Sequence, residues 1–271
     1  ENLTTLVKVV LRGGYSGSFS EVERTFIENK SVLRTTAGTA LSDGLSSTID
    51  GFVVDGTAGA NKGIVVTAGH AIVTHNVVYG ISRSGGSCIE IAAAASATIM
   101  NNTVANNKLS GGGVIIYSIY VRGNADRTTV VMNNLAYGNS VGISIGSTLG
   151  VSAGYNCSYI NTYYDFDGAV AGPTDFSKDP IFRNGSANDF RLSSNSPCID
   201  AGDPSSPLDP DGTRSDIGAY YFPSVISIPP APSLSSPSHG STSQATTMTI
   251  TWGASAGATK YHLQVSTSVG F

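Results

Sequence analysis

The chain reads as all-β, a right-handed single-stranded parallel β-helix, on three grounds. The first is a repeat. Val73-Thr-His-Asn76-Val-Val, Ile99-Met-Asn-Asn102-Thr-Val and Val131-Met-Asn-Asn134-Leu-Ala superpose, each an apolar residue, two spacers, an asparagine and a mostly apolar pair. Weaker copies at Ile49-Asp-Gly-Phe52-Val-Val and Ala153-Gly-Tyr-Asn156 give spacings of 24, 26, 32 and 22 residues, the range of a stacked repeat. The second ground is a series of short β-rich runs between those lines: Gly63-Ile-Val-Val66, Cys88-Ile-Glu-Ile91, Gly113-Val-Ile-Ile116 and Gly142-Ile-Ser-Ile145. The third is composition. With 32 glycines and 13% charged residues, the chain suits a solenoid of tight turns, and no amphipathic helix separates the β segments.

A single coil cannot bury its apolar side, so the coils must stack about 4.8 Å apart, pairing strand edges and aligning Val, Ile and Ala in columns. Asn76, Asn102, Asn134 and Asn156 then form a ladder of amides, at corners where asparagine tolerates a left-handed backbone.

In chain order, residues 1–48 supply the first coils, with strands at Leu6–Leu11, Phe26-Ile27 and Ser31–Leu33 and a turn at Arg12-Gly-Gly-Tyr-Ser16. This strand ending in Gly-Gly-Tyr resembles an early coil of bacterial secreted β-helix proteins, which implies an earlier capping segment not included here. Residues 49–168 are the regular coils. The 32-residue spacing must leave the coil as loops, placed at Ala105–Gly112 and Tyr117–Arg127. Residues 173–222 carry Asp179-Pro-Ile-Phe182, Asp189-Phe-Arg-Leu192, Ser196-Pro-Cys-Ile-Asp-Ala-Gly202 and Asp209-Pro-Asp-Gly-Thr-Arg-Ser-Asp-Ile-Gly-Ala-Tyr220. This ordered set resembles the C-terminal segment of bacterial pectate-lyase-like β-helix proteins of the choice-of-anchor type. It implies a cap at about 173–222 over the open last coil. Where that family often carries an acid after Gly-Ala-Tyr, Tyr221 stands here, so no role for that acid transfers.

Residues 1–222 are thus one domain, and the proline-rich residues 223–233 a stiff linker. In 234–271, Met248-Thr-Ile-Thr-Trp252 and Lys260-Tyr-His-Leu-Gln-Val265 alternate as strands and resemble the first half of a fibronectin type III sandwich. That module implies an extracellular or cell-surface bacterial protein, of which this chain is a piece.

A net charge of −4 without basic runs argues against a nucleic-acid surface, and no apolar run is long enough to span a bilayer. Cys88, Cys157 and Cys198 match no zinc spacing. Cys157 and Cys198 are a candidate disulfide pair, with buried free thiols the alternative. No cofactor or metal is expected. Asp209, Asp211 and Asp216 lack the ligand set of an EF-hand and read as turn formers.

For catalysis the exposed side of the Gly-Ile-x-Ile strands matters. Alternation points Val65, Glu90, Ile115 and Ser144 outward. A glycoside hydrolase needs two carboxylates and a lyase a base with a cation; this column offers Glu90 alone. His70 and His75 are isolated. The preferred expectation is therefore a non-catalytic surface module, with a polysaccharide lyase or glycoside hydrolase acting on acidic polysaccharides as the alternative. The candidate ligand-binding residues are Tyr117, Tyr120, Arg122 and Arg127 on the second loop, with Glu90 beside them. Aromatic faces stack on sugar rings and guanidinium groups hold carboxylates, so an acidic polysaccharide is the expected partner. Tyr163-Tyr-Asp-Phe-Asp167 also combines rings and acids, but suits a last coil packing on its cap.

Overall fold

The computed structural model describes residues 3–5, 10–12, 31–83, 85–108, 115–168, 172–224, 231–238, 240–255, 260, 261 and 263. It is a parallel β-solenoid with three sheets, and successive strands enter the sheets in strict rotation. Sheet A holds β1 (Leu3–Thr5), β4 (Thr39–Asp43), β7 (Lys62–Val66), β10 (Ser87–Ile91), β13 (Tyr117–Val121), β16 (Val141–Ile145) and β19 (Tyr164–Asp167). Sheet B holds β2 (Val10–Arg12), β5 (Thr48–Asp50), β8 (Gly69–Thr74), β11 (Ala95–Met100), β14 (Thr129–Met132) and β17 (Val151–Gly154). Sheet C holds β3 (Ser31–Arg34), β6 (Phe52–Asp55), β9 (Val77–Tyr79), β12 (Thr103–Ala105), β15 (Leu135–Tyr137) and β18 (Cys157–Tyr159). The superposed sequence lines are neighbours in register: Ile49, Val73, Ile99, Val131 and Ala153 form one column of sheet B. Of the early segments, Leu6–Val9 of the first strand, Gly13–Ser16 of the turn and Phe26-Ile27 lie outside the described residues.

Inward columns fill the interior. Leu41, Ile64, Ile89, Ile119 and Ile143 stack in sheet A, and Val54, Val78, Val104 and Ala136 in sheet C. Each buried isoleucine or leucine contributes about 2 kcal/mol through the area it withdraws from water.

The asparagines lie where sheet B turns into sheet C. The backbone N–H and side-chain Nδ2 of Asn76 both donate to Oδ1 of Asn102, at 3.0 and 3.1 Å. Asn102 does the same to Asn134, and Asn134 to Asn156. The other amide hydrogen reaches a carbonyl of the preceding coil, as from Asn102 to Val73 at 2.9 Å. These asparagines are not themselves left-handed. The residues before them are: His75, Asn101, Asn133 and Tyr155 have φ between 51° and 57°, and Gly51, before Phe52 at the same corner one coil earlier, has φ 78°. The turn is made by one residue, and the next closes it with its amide.

Of the run Gly113–Ile116, expected to form the sheet A strand, the described Ile115 and Ile116 are not strand, and Gly113 lies outside the described residues. The strand is β13, whose Ile119 pairs with Ile89 and Ile143. Val114 lies outside the described residues, Ile116 is buried before the strand, and Ile115 is exposed. Two adjacent runs suit a strand, and register with β10 selects the later one. Tyr117–Val121 is therefore strand rather than loop, and the longer excursion precedes it.

The terminal segment departs from expectation in its position. Residues 172–176 extend the last coil, with Asp175 Oδ1 accepting from Asn156 at 2.7 and 3.0 Å and Phe176 bridging to Cys157. The rest folds back along the outer face of sheet C instead of plugging the end. Its hairpin, β20 (Phe182–Asn184) and β21 (Asp189–Leu192), sets Phe182 edge-on to Tyr137 at 5.1 Å and Phe190 against Tyr79 at 6.0 Å. Further along, Ala219 N–H donates to Thr103 Oγ1 and Asp203 N–H to Asn133 Oδ1. A side chain on Gly218 (φ 111°) would collide with Thr103 Oγ1, which explains the Gly-Ala-Tyr motif. The Asp216 carboxylate joins the motifs, accepting from the N–H groups of Asp200 (2.7 Å) and Phe222 (2.6 Å). Such lateral packing protects an outer sheet face rather than a strand edge.

The second compact unit, Ser224–Phe271, is described by itself. Its sheet pairs β22 (Leu234–Ser236) with β23 (Thr251–Trp252), antiparallel. The Met248–Trp252 strand is thus shorter than expected, with β22 its unforeseen partner. Of Lys260–Val265, the described Lys260, Tyr261 and Leu263 are not strand, and the remainder lies outside the described residues. Trp252 and Tyr261 sit 5.9 Å apart.

Two outcomes are expected. Asn102→Ala leaves buried donors and acceptors of neighbouring coils unpaired, so urea unfolding should show a loss on the order of 3 kcal/mol, against almost none for the exposed Ser152→Ala. The second concerns pH. Burial lifts the Asp216 carboxyl to about 7 and the Asp209 carboxyl to about 6, despite the N–H groups they accept; neighbouring Asp200 and Asp211 add repulsion. A folded carboxyl with a raised value keeps a proton that the unfolded chain releases near pH 4, so stability falls as pH rises through 7. Urea titrations at pH 5 and pH 8 should differ by about 1–3 kcal/mol. The difference should shrink in Asp216→Asn, whatever that variant's absolute stability.

Candidate functional site

With sheet C under the folded-back segment, sheet A offers the richest outer surface. Its outward column, set by register, is Ser42, Val65, Glu90, Tyr120, Ser144 and Asp167. Tyr120 stands where Ile115 was expected, because the strand begins later. The aromatic residue assigned to a loop thus lies directly beside Glu90 on rigid strands.

Glu90 is 5% exposed and lies beneath longer side chains. Oε2 accepts from Lys62 Nζ at 2.5 Å, and Oε1 accepts from Arg122 Nη2 at 3.4 Å. Burial pushes the Glu90 carboxyl up, but the Lys62 and Arg122 cations and Ser87 outweigh it and hold the group below the usual range. Arg122 also lies over the Tyr120 ring at 5.1 Å, and Tyr120 stacks on Tyr117 at 4.6 Å with a 19° tilt. The upper layer is thus two cations and two half-buried aromatic rings, and the lower layer is the carboxylate that positions the cations.

Of the five candidate ligand-binding residues, the structure brings four together: Glu90, Tyr117, Tyr120 and Arg122. Arg127 is not among them. It closes the following turn through a bridge to Asn124, with its carbonyl and that of Asn124 packed against Gly150. Lys62 went unnoticed because its side chain reaches across from the preceding coil, at a strand start where the apolar pattern marks nothing. Glu90 is buried beneath the two cations rather than presented at the surface.

Further along sheet A, Ser144 Oγ donates to Asp167 Oδ2 at 2.9 Å, and Tyr163 and Tyr164 are exposed. Phe166 packs on the core, as a last coil requires. Glu90 and Asp167 lie three strands apart, about 14 Å at the usual strand spacing. That exceeds the separation of about 5–9.5 Å at which two carboxyl groups hydrolyse a glycosidic bond.

His70 lies on sheet B, its ring nitrogens against Ser96 Oγ (2.9 Å) and Thr98 Oγ1 (3.3 Å). His75 occupies a corner beside Asp50 at 3.4 Å. Asp209 and Asp211 accept from backbone N–H groups of Asp216 and Thr213, as turn formers do. Asn101, the first residue of an Asn-x-Thr sequence, is buried with its amide donating to Ser215 Oγ and the Asp216 carbonyl, so it is closed to glycosylation in the folded chain. No helix among the described residues is long and apolar enough to cross a membrane. All three cysteines are buried free thiols.

No protein family, curated protein or solved structure matches the chain. The resemblance of its motifs to surface β-helix proteins therefore rests on those motifs.

Removing Lys62 should expose the dependence of this cluster on charge. Lys62→Met leaves Glu90 with one longer ion pair, and urea unfolding at pH 7 should show a loss of about 1–2 kcal/mol after allowance for solvent screening. A carboxylate held low stabilises above its unfolded value and loses that contribution as pH falls. The gap between variant and wild type should therefore close below the usual glutamate range.

Proposed function

We propose that this chain is a non-catalytic β-helix module of a secreted or cell-surface protein, binding acidic polysaccharide on the outer face of sheet A. One observation carries the reading: Lys62 and Arg122 are both braced by Glu90, and Arg122, just after β13, lies over the ring of Tyr120, which stacks on Tyr117 in that strand. A uronate unit has an apolar ring face and a carboxylate. The rings suit the first and the cations the second, the guanidinium by paired N–H donors. Strand positions hold such groups more rigidly than loop positions would. The resemblance of the C-terminal motifs to pectate-lyase-like surface proteins of the choice-of-anchor type, and of residues 234–271 to fibronectin type III, supports an extracellular bacterial setting.

The alternative, a lyase or hydrolase, is less well supported by this face. Both Glu90 oxygens are engaged by cations, so it is poorly placed to take or give a proton. Asp167 is too distant to act with it.

Isothermal titration with acidic oligosaccharides and their neutral counterparts tests the proposal. Wild type should bind the acidic series, and Tyr120→Ala/Arg122→Ala, still folded by circular dichroism, should bind at least about tenfold more weakly through loss of a charge-assisted contact. Equal binding by the double variant would remove this face as the site. New reducing or unsaturated ends in the same mixtures would replace the binding module with an enzyme.

A further inference from the structure

The folded-back segment meets the last coils through sulfur. Cys157 opens β18, and Cys198 belongs to the Ser-Pro-Cys-Ile-Asp motif of that segment. Both are fully buried, in a cluster with Leu135, Leu192 and Ile217. Both thiols lie in this one cluster, and the Cys157 thiol donates to the Lys178 carbonyl at 3.3 Å. Backbone bonds fix both residues. Cys157 N–H donates to the Asn134 carbonyl (2.9 Å), Cys198 N–H to Ser196 Oγ (3.1 Å), and the Cys198 carbonyl accepts from Ile217 N–H (2.9 Å). Cys88 lies in a different cluster, on β10.

We propose that Cys157 and Cys198 are a bridging pair, forming an intramolecular disulfide that staples the terminal segment to the coils when the chain meets a thiol oxidant. Two thiols buried in one apolar cluster, on backbones held by hydrogen bonds in both elements, are placed to bond. The bridge would add a covalent link between strand and returning segment to the hydrogen bonds and packing that already join them, and it closes a long loop, the arrangement in which a cross-link restricts the unfolded chain most. The neighbouring Cys157 thiol, together with burial, keeps the Cys198 thiol protonated well above the ordinary range. Reaction therefore proceeds as the segment lifts or as the chain first folds.

With oxidised glutathione as oxidant, one protein thiolate attacks a glutathione sulfur, forming a mixed disulfide and releasing one glutathione thiolate. The second protein thiolate then displaces the other. The two cysteine sulfurs are oxidised, the glutathione disulfide is reduced to two glutathione molecules, and the two thiol protons pass to solvent or to the departing thiolates.

The full chain is incubated natively in a glutathione redox buffer and, separately, refolded from urea in the same buffer. Thiols are then counted under denaturing conditions, and linked peptides are mapped without reductant. At least the refolded sample should fall from three thiols to one, yield a peptide joining Cys157 to Cys198, and unfold at a higher temperature than the reduced protein. Cys88→Ser should bridge equally and leave no thiol, whereas Cys198→Ser should give no linked peptide. Three thiols in both preparations, or glutathione adducts without the linked peptide, would overturn the proposal. Neither result bears on sugar binding at sheet A.

Discussion

Everything in the solenoid depends on how one coil is kept in register with the next, and buried amides do this. A column of valines and isoleucines can slide or be repacked at modest cost, whereas an amide must meet its partner at hydrogen-bond distance. The Oδ1 atoms of Asn102, Asn134 and Asn156 each receive two N–H groups from the coil before, so a displaced coil would leave three polar groups stranded at one corner. A second column does the same where sheet C turns into sheet A: Asn107 donates twice to Asn139, and Asn139 twice to Asn161. Both columns run from donor to acceptor toward the C-terminus, so each must end on a group that only accepts. The first ends on the Asp175 carboxylate and the second on that of Asp165, which takes Asn161 N–H and Nδ2 at 3.0 and 2.8 Å. Aspartate at these two positions follows from the polarity of the ladder.

The ladder also decides which surfaces remain for function. Its corners present Asn101, Asn106 and Asn133, in left-handed conformation, to the outside. The returning segment docks on those residues, through Asn101 to Ser215 and Asp216, Asn106 to the Gly185 carbonyl, and Asn133 to Asp203 and Ser206. Corner amides that would otherwise need water become the docking surface, which is why the segment lies along sheet C. Sheet A, beyond those corners, keeps its long polar and aromatic side chains for other partners.

The repeat, the apolar columns and the first asparagine ladder were legible in the sequence, because a stacked fold writes its register as spacing; the division of each coil among three sheets was not. The second ladder was equally present, each asparagine five residues after one of the first. It was overlooked because Asn106-Asn107 and Asn139 sit among glycines, serines and asparagines that read as loop. The shift from Ile115 to Tyr120 was not legible. Gly-Val-Ile-Ile and Tyr-Ser-Ile-Tyr-Val both satisfy strand propensity, and only pairing with β10 chooses between them. Likewise, nothing local shows that residues 179–222 turn back, since that depends on aromatic contacts between residues about a hundred positions apart, such as Tyr79 and Phe190.

The same dependence on neighbours shaped the candidate site. Lys62, Glu90 and Arg122 come from three successive coils, and no window of sequence contains them together. Stacking makes a line of side chains perpendicular to the chain, so chemistry on a solenoid is assembled across repeats. Two cations around one buried carboxylate leave a local surplus of one positive charge. Glu90 keeps Lys62 and Arg122 from separating while leaving part of each exposed, at 33% and 49% of its side chain. A single cation on a flexible stem would lose more freedom on meeting a ligand than one already braced from below, so on the proposed reading the buried acid would prepare the basic groups for an anionic partner and the stacked tyrosines would fix the plane against which its ring lies.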